Sequence, residues 1–133
     1  MPNKGENALV AWLRDRFPPD PARVTVGIGD DMAVLRLGGN LLAITADMLL
    51  DGVHFDVTRQ SYELIGRKAL ACSLSDCAAM ACRPVAATVS LAIPDSLSLE
   101  AVKRLYEGMA QLADQFDCRI VGGDTTSWPG RLA

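Results

Sequence analysis

The sequence predicts a mixed domain of strands and helices, with helices packed on a sheet. Three observations carry this. A strongly periodic apolar stripe lies late in the chain, a β-branched apolar run precedes it, and short strand-like segments near the start flank a pair of glycines. Strands and helices alternate, which leaves α/β and α+β both open. The 133 residues suit one domain, and a hydrophobic fraction of 50% is enough to build a core.

The elements follow in order. Leu9, Val10, Leu13 and Phe17 share one face at helical spacing, so residues 7–17 are expected to be helical, and the run FPPDP ends them. Ala33 to Leu37 and Leu41 to Thr45 read as two strands of a hairpin turned by Gly38, Gly39 and Asn40. Residues 62–81 read as a helix that Ser73-Leu74-Ser75-Asp76 could interrupt, with Arg83-Pro84 closing the segment. Val85 to Ile93 has the character of a buried strand, and Pro94, Asp95 and Ser96 turn the chain. The next helix has Ser98 as its expected N-cap and Glu100 in its first turn. Its stripe is Val102, Leu105, Tyr106, Met109, Leu112, Ala113 and Phe116. Arg119 to Val121 reads as a last strand running into GGDTTSWPG.

Composition narrows the function. A net charge of -3 argues against a nucleic-acid binder. No apolar run approaches the roughly 18 residues of a membrane span, and MPNKGENALV has no signal-peptide core. Cys72, Cys77, Cys82 and Cys118 lie at intervals of five, five and thirty-six, which match no common zinc pattern. Free cysteines acting as small hydrophobes fit a reducing cytoplasm.

Acidic residues stand at the expected ends of elements: Asp30 beside Asp31 in GIGDDMAVL, Asp47 after LLAITA, Asp76 in SLSD and Asp124 in GGDTT. Side chains at strand ends can converge from distant segments. The two glycines before Asp124 allow a tight turn or a close ligand approach. Thr45, Thr125 and Thr126 add hydroxyls. An oxygen-only donor set suits magnesium or calcium rather than zinc, and a shared cation would relieve the repulsion between adjacent carboxylates. The competing reading is that these aspartates cap helices and fill turns. His54, the single histidine, suits a phosphate contact or proton transfer, or a structural role. The chain has no GxxxxGK[ST] loop and no kinase-type GxGxxG, so neutralising a phosphate would fall mainly to metal ions.

Four segments in order, GIGDDMAVL, ITADMLLDGVHF, KALACSLSDCAAMACRP and IVGGDTT, cover nearly the whole chain. Together they resemble the N-terminal domain of the thiamine-monophosphate kinase family. Its superfamily includes aminoimidazole ribonucleotide synthetase, selenophosphate synthetase and a hydrogenase maturation protein. GVHF, LSD and GGDTT favour the thiamine kinase within that group. The resemblance implies an α+β sandwich, PurM-like, with a mostly antiparallel or mixed sheet and helices on one face. It implies transfer of the γ-phosphoryl of ATP to thiamine monophosphate, giving thiamine diphosphate and ADP, with several Mg2+ ions and no phosphoenzyme. Asp30, Thr45, Asp47, Asp76 and Asp124 match the magnesium ligands, with Ala46 contributing only its backbone carbonyl. Gly123, Asp124 and Tyr106 match nucleotide contacts, and His54 a substrate contact. No catalytic acid or base is assigned, since the nucleophile is already an anionic phosphate.

Two positions depart from the family pattern. Thr45-Ala46-Asp47 stands where Ser/Thr-Thr-Asp is usual, and Ser73-Leu74-Ser75-Asp76 where Asn-Leu-Ser-Asp is usual. Members carry a second domain, so residues 1–133 are expected to be a single ATP- and magnesium-binding N-terminal domain, inactive alone. The resemblance further implies a homodimer through this domain, with VAATVSLAI buried in a joint barrel. The alternatives are another ATP-dependent member of the superfamily acting on a different small substrate, and a non-catalytic dimerisation module.

Overall fold

In the computed structural model, residues 3–133 are described, with side chains from Gly5 onward. The order is α1 (Asn3–Arg16), β1 (Val24–Val26), β2 (Ala33–Leu37), β3 (Asn40–Ile44), α2 (Tyr62–Ala79), β4 (Ala86–Pro94), α3 (Leu99–Gln115) and β5 (Arg119–Trp128). The chain divides into two compact units.

The first unit holds residues 3–45 with Ala79–Cys82. Its sheet is antiparallel in the order β1-β2-β3. Leu37 pairs with Asn40, so Gly38 and Gly39 form a two-residue loop, with φ of 54° and 88°. Two successive positive φ values match the right-handed twist of the flanking strands, and glycine supplies both without a Cβ clash. The hairpin expected from the sequence is therefore present, and β1 is an additional strand paired to its outer edge. Met32 is buried just before β2, and its Sδ lies 3.4 Å from Cys82 Sγ.

The second unit holds Ala46–Ala78 and Arg83–Ala133, and it contains the larger core. Here β4, α3 and β5 form a crossover in which β4 and β5 run parallel. Parallel strands cannot be joined by a tight turn, and the 17 residues of α3 provide the return path. Ser98 caps α3 by accepting a hydrogen bond from Ala101 N, as the sequence predicts. The stripe of α3 supplies Leu105, Met109, Leu112 and Ala113 to the core, joined by Ile65 and Leu70 of α2 and Leu91 of β4. At the far end of α3, Cys118 N donates to Ala113 O and Asp117 N to Asp114 O, a Schellman closure with Asp117 at a φ of 50°.

Helices α2 and α3 cross at two glycines. A Cβ on Gly66 would lie 1.9 Å from Leu105 O, and one on Gly108 would lie 1.9 Å from Glu63 O. Beside this contact, Arg104 of α3 grips Glu63 of α2 through two hydrogen bonds of 2.6 and 3.0 Å.

Three expectations are corrected. Helix α2 runs unbroken through Ser73-Leu74-Ser75-Asp76, since both serines are accommodated without disturbing the ladder, so Asp76 lies inside the helix. The helix stops at Ala79, two residues short of the expected 81. Strand β5 continues to Trp128, which places Asp124 in mid-strand rather than at an end. Gly123 therefore does not turn the chain. It lets β5 pass tightly against β4, because a Cβ there would lie 1.9 Å from Val89 O.

Candidate functional site

The residues singled out by the sequence fall in both units: Asp30 and Thr45 in the first, Asp47, His54, Asp76, Tyr106, Gly123 and Asp124 in the second.

In the first unit, GIGDD is shaped by backbone contacts. Gly29 takes a φ of 106°, open to glycine and strained for other residues. Arg14, on α1, donates from Nε to Ile28 O at 2.7 Å and from Nη2 to Gly29 O at 3.1 Å. A planar guanidinium is suited to holding two carbonyls at once. The Asp30 carboxylate accepts from Asp31 N at 3.0 Å and is exposed. Asp30 is thus presented outward on a loop clamped from behind. Nothing in the sequence marked Arg14, because its partners are carbonyls, which every residue carries. Thr45 follows β3 and is half-buried.

In the second unit, an irregular segment from residue 46 to residue 50 leads into a tight turn. Asp51 N donates to Leu132 O, and Asp51 Oδ1 accepts from Val57 N at 3.1 Å. Gly52 turns the chain at a φ of 81°, with the Arg131 guanidinium lying where a Cβ would stand. The turn returns through Gly52 N to Phe55 O, and Phe55 is buried in the core. His54 is exposed on this turn, and its Nδ1 accepts from Leu50 N at 3.0 Å. An accepting Nδ1 carries no proton, so the neutral ring keeps its proton on Nε2, free to be donated outward. Lys68, from α2, donates to His54 O and pins the turn to the helix. A concavity of about 380 Å³ opens beside it, lined by Gly52, Val53, His54, Phe55, Asp56, Arg59 and Gln60. Of these, Asp56 accepts at Oδ1 from the Thr58 hydroxyl at 2.6 Å, which holds its carboxyl below its usual range. The lining thus carries the Arg59–Asp56 ion pair, at 3.3 Å, beside the His54 ring and Gln60, whose Oε1 accepts from Asp56 N at 3.0 Å.

Asp47 is held by α2. Ser73 Oγ donates to Asp47 Oδ2 at 3.0 Å. Ser73 and Asp76 are three apart on one helix and so share a face. Asp47 is therefore brought to the face of α2 that carries Asp76. Tyr106 is half-buried and packs against the core. On β5, Gly123 pairs with Val89 and the exposed Asp124 with Ser90. Among the described residues, no three of His, Cys, Asp or Glu are grouped closely enough to hold a metal ion. The donors that the sequence singled out are nevertheless carboxylates and hydroxyls throughout, the chemistry of a hard divalent cation.

The fold is that of an α+β domain, and its sequence has no phosphate-binding loop of the P-loop kind. The chain belongs to the family of AIR synthase related proteins, N-terminal domain, whose match spans residues 29–132. It is 38% identical over 136 residues to the thiamine-monophosphate kinase of Rhodopirellula baltica, covering 96% of this chain and 43% of that protein. Among solved structures it is similar to AaThiL complexed with AMPPCP and TMP, with a TM-score of 0.85 and 28% identity over 96% of this chain and 38% of the other. It is also similar to thiamine-monophosphate kinase from Stenotrophomonas maltophilia, with a TM-score of 0.63 and 40% identity over 94% of this chain and 39% of the other. The chain thus spans less than half the length of the relatives it matches.

Proposed function

We propose that this chain is the N-terminal part of a magnesium-dependent kinase that converts thiamine monophosphate and ATP to thiamine diphosphate and ADP. The observation that carries the reading is its likeness to AaThiL complexed with AMPPCP and TMP, over nearly the whole of this chain. AMPPCP has the shape of ATP but a carbon bridge where the transferred phosphoryl would leave. The relatives' shared name supports thiamine monophosphate as acceptor.

A phosphate oxygen of thiamine monophosphate attacks the γ-phosphorus of ATP, a new P–O–P bond forms, and the bond to the β-phosphate oxygen breaks to release ADP. The nucleophile is already ionised, so no protein base is required, and the demand is for alignment of two polyanions. Asp30, Thr45, the carbonyl of Ala46, Asp47, Asp76 and Asp124 are the residues that would hold magnesium. When bound, magnesium would supply neutralisation of the phosphate charge at these residues. Gly123 and Tyr106 are the residues that would contact the nucleotide, Gly123 through its backbone. His54 offers its Nε2 proton to the acceptor phosphate, supported by the backbone donor at its Nδ1.

The exposed apolar residues Val85, just before β4, and Val121, within β5, support pairing of two copies through this domain. The four free cysteines fit a reducing cytoplasm.

The test is product analysis with the full-length protein, ATP, magnesium and a panel of small phosphorylated acceptors. The expected result is thiamine diphosphate and ADP in equal amounts, abolished by a chelator. ATP turnover with another acceptor and none with thiamine monophosphate would move the protein elsewhere in the superfamily. Absence of ATP binding would leave a dimerisation module.

A further inference from the structure

We infer that Ser73 is a positioning residue for the Asp47 carboxylate, setting which of its oxygens faces a bound divalent cation; the inference rests on the magnesium reading above. Asp47 is exposed and lies on a segment with no regular secondary structure. A carboxylate in that setting is free to rotate, and ordering it on binding costs entropy. Ser73 sits half-buried in the long helix α2, a rigid base. A serine inside a helix commonly turns its hydroxyl back to a carbonyl one turn earlier. Here the hydroxyl instead donates across 26 residues of sequence to Asp47 Oδ2 at 3.0 Å.

That bond has two chemical consequences. It engages one lone pair of Oδ2, which makes Oδ1 the less encumbered oxygen for a cation. Single-oxygen ligation suits magnesium, whose octahedral shell tolerates little distortion. It also draws the Asp47 carboxylate toward the helix face on which Asp76 lies one turn further on, so that acidic side chains from two separate segments share that face. A hydroxyl is a short donor, so it works only if the carboxylate comes close to the helix backbone. Hydrogen-bond partners that orient metal ligands in this way commonly change metal affinity by about 10- to 100-fold when removed.

The experiment is magnesium calorimetry on the full-length protein, with and without AMPPCP, together with thermal melting in a chelator. The variants are Ser73→Ala, Ser73→Thr and Asp47→Asn. Alanine is a good helix former, so the fold of α2 is kept. The expected result is an affinity for magnesium about 10-fold weaker in Ser73→Ala, restored in Ser73→Thr, with the metal-free melting temperature unchanged. Unchanged magnesium affinity in Ser73→Ala alongside weakened affinity in Asp47→Asn overturns the positioning role and leaves the magnesium reading standing. Unchanged affinity in Asp47→Asn overturns both. A lowered melting temperature with intact magnesium affinity makes Ser73 a structural residue only and overturns the inference.

Discussion

The crossing of α2 and α3 makes the most quantitative demand on the fold. At Gly66 and at Gly108 a methyl group would stand 1.9 Å from a carbonyl oxygen of the opposite helix. Ordinary contact begins near 3.4 Å, so the helices must part by about 1.5 Å to admit either methyl. Parting them loosens Ile65, Leu105 and Met109, which are 2%, 3% and 5% exposed. Overpacking of this kind costs about 3 kcal/mol, against about 1 kcal/mol gained when alanine replaces glycine in a helix. Gly66→Ala and Gly108→Ala are each expected to destabilise the protein by about 2 kcal/mol. The double variant should cost clearly less than the sum, because one separation relieves both clashes. Urea unfolding followed by far-ultraviolet circular dichroism measures this, with a lowered midpoint at constant slope. If either single variant were stabilised by about 1 kcal/mol, propensity alone would be acting and the helices would not cross this closely.

Other perturbations have defined outcomes. The Arg104 hydrogen bonds lower the Glu63 carboxyl to about 2 from an ordinary 4.5. A depressed carboxyl stabilises the fold in full above about pH 4.5, and the contribution disappears as pH falls toward 2. Glu63→Gln should flatten stability against pH across that window, and added salt should shrink the effect because the pair is partly exposed. Asp117 holds a φ of 50° at the end of α3. Asp117→Gly should therefore stabilise the protein by about 0.5–1 kcal/mol in denaturant titration, its exposed pairing with Arg119 contributing little. Cys118 is buried with its thiol raised by desolvation, so it should react with iodoacetamide more slowly than Cys72, Cys77 and Cys82 at neutral pH.

Local signals were legible where one residue type enforces one geometry. Two adjacent glycines dictate the hairpin between β2 and β3, Ser98 caps α3, and the stripe of α3 identifies the core. What sequence could not convey was contact between distant backbones. Gly122-Gly123 reads as a turn in isolation, because the requirement that β5 pass against Val89 O arises only when β4 is beside it. The serines of α2 read as residues that could interrupt it, since the partner of Ser73 lies on another segment. Arg14 was invisible for the same reason. The acidic positions could be picked out as oxygen donors from the sequence alone. The hydrogen bonds that aim Asp30 and Asp47 could not.

The central claim is that Asp30, Asp47, Asp76 and Asp124 hold divalent ions against a nucleotide triphosphate. Its most direct test is a crystal of the full-length protein grown with manganese and AMPPCP, with ions located by anomalous scattering. The account predicts manganese peaks within coordinating distance of these carboxylates and of the phosphate oxygens together. Peaks on the phosphates alone, with the four carboxylates turned to solvent, would contradict it.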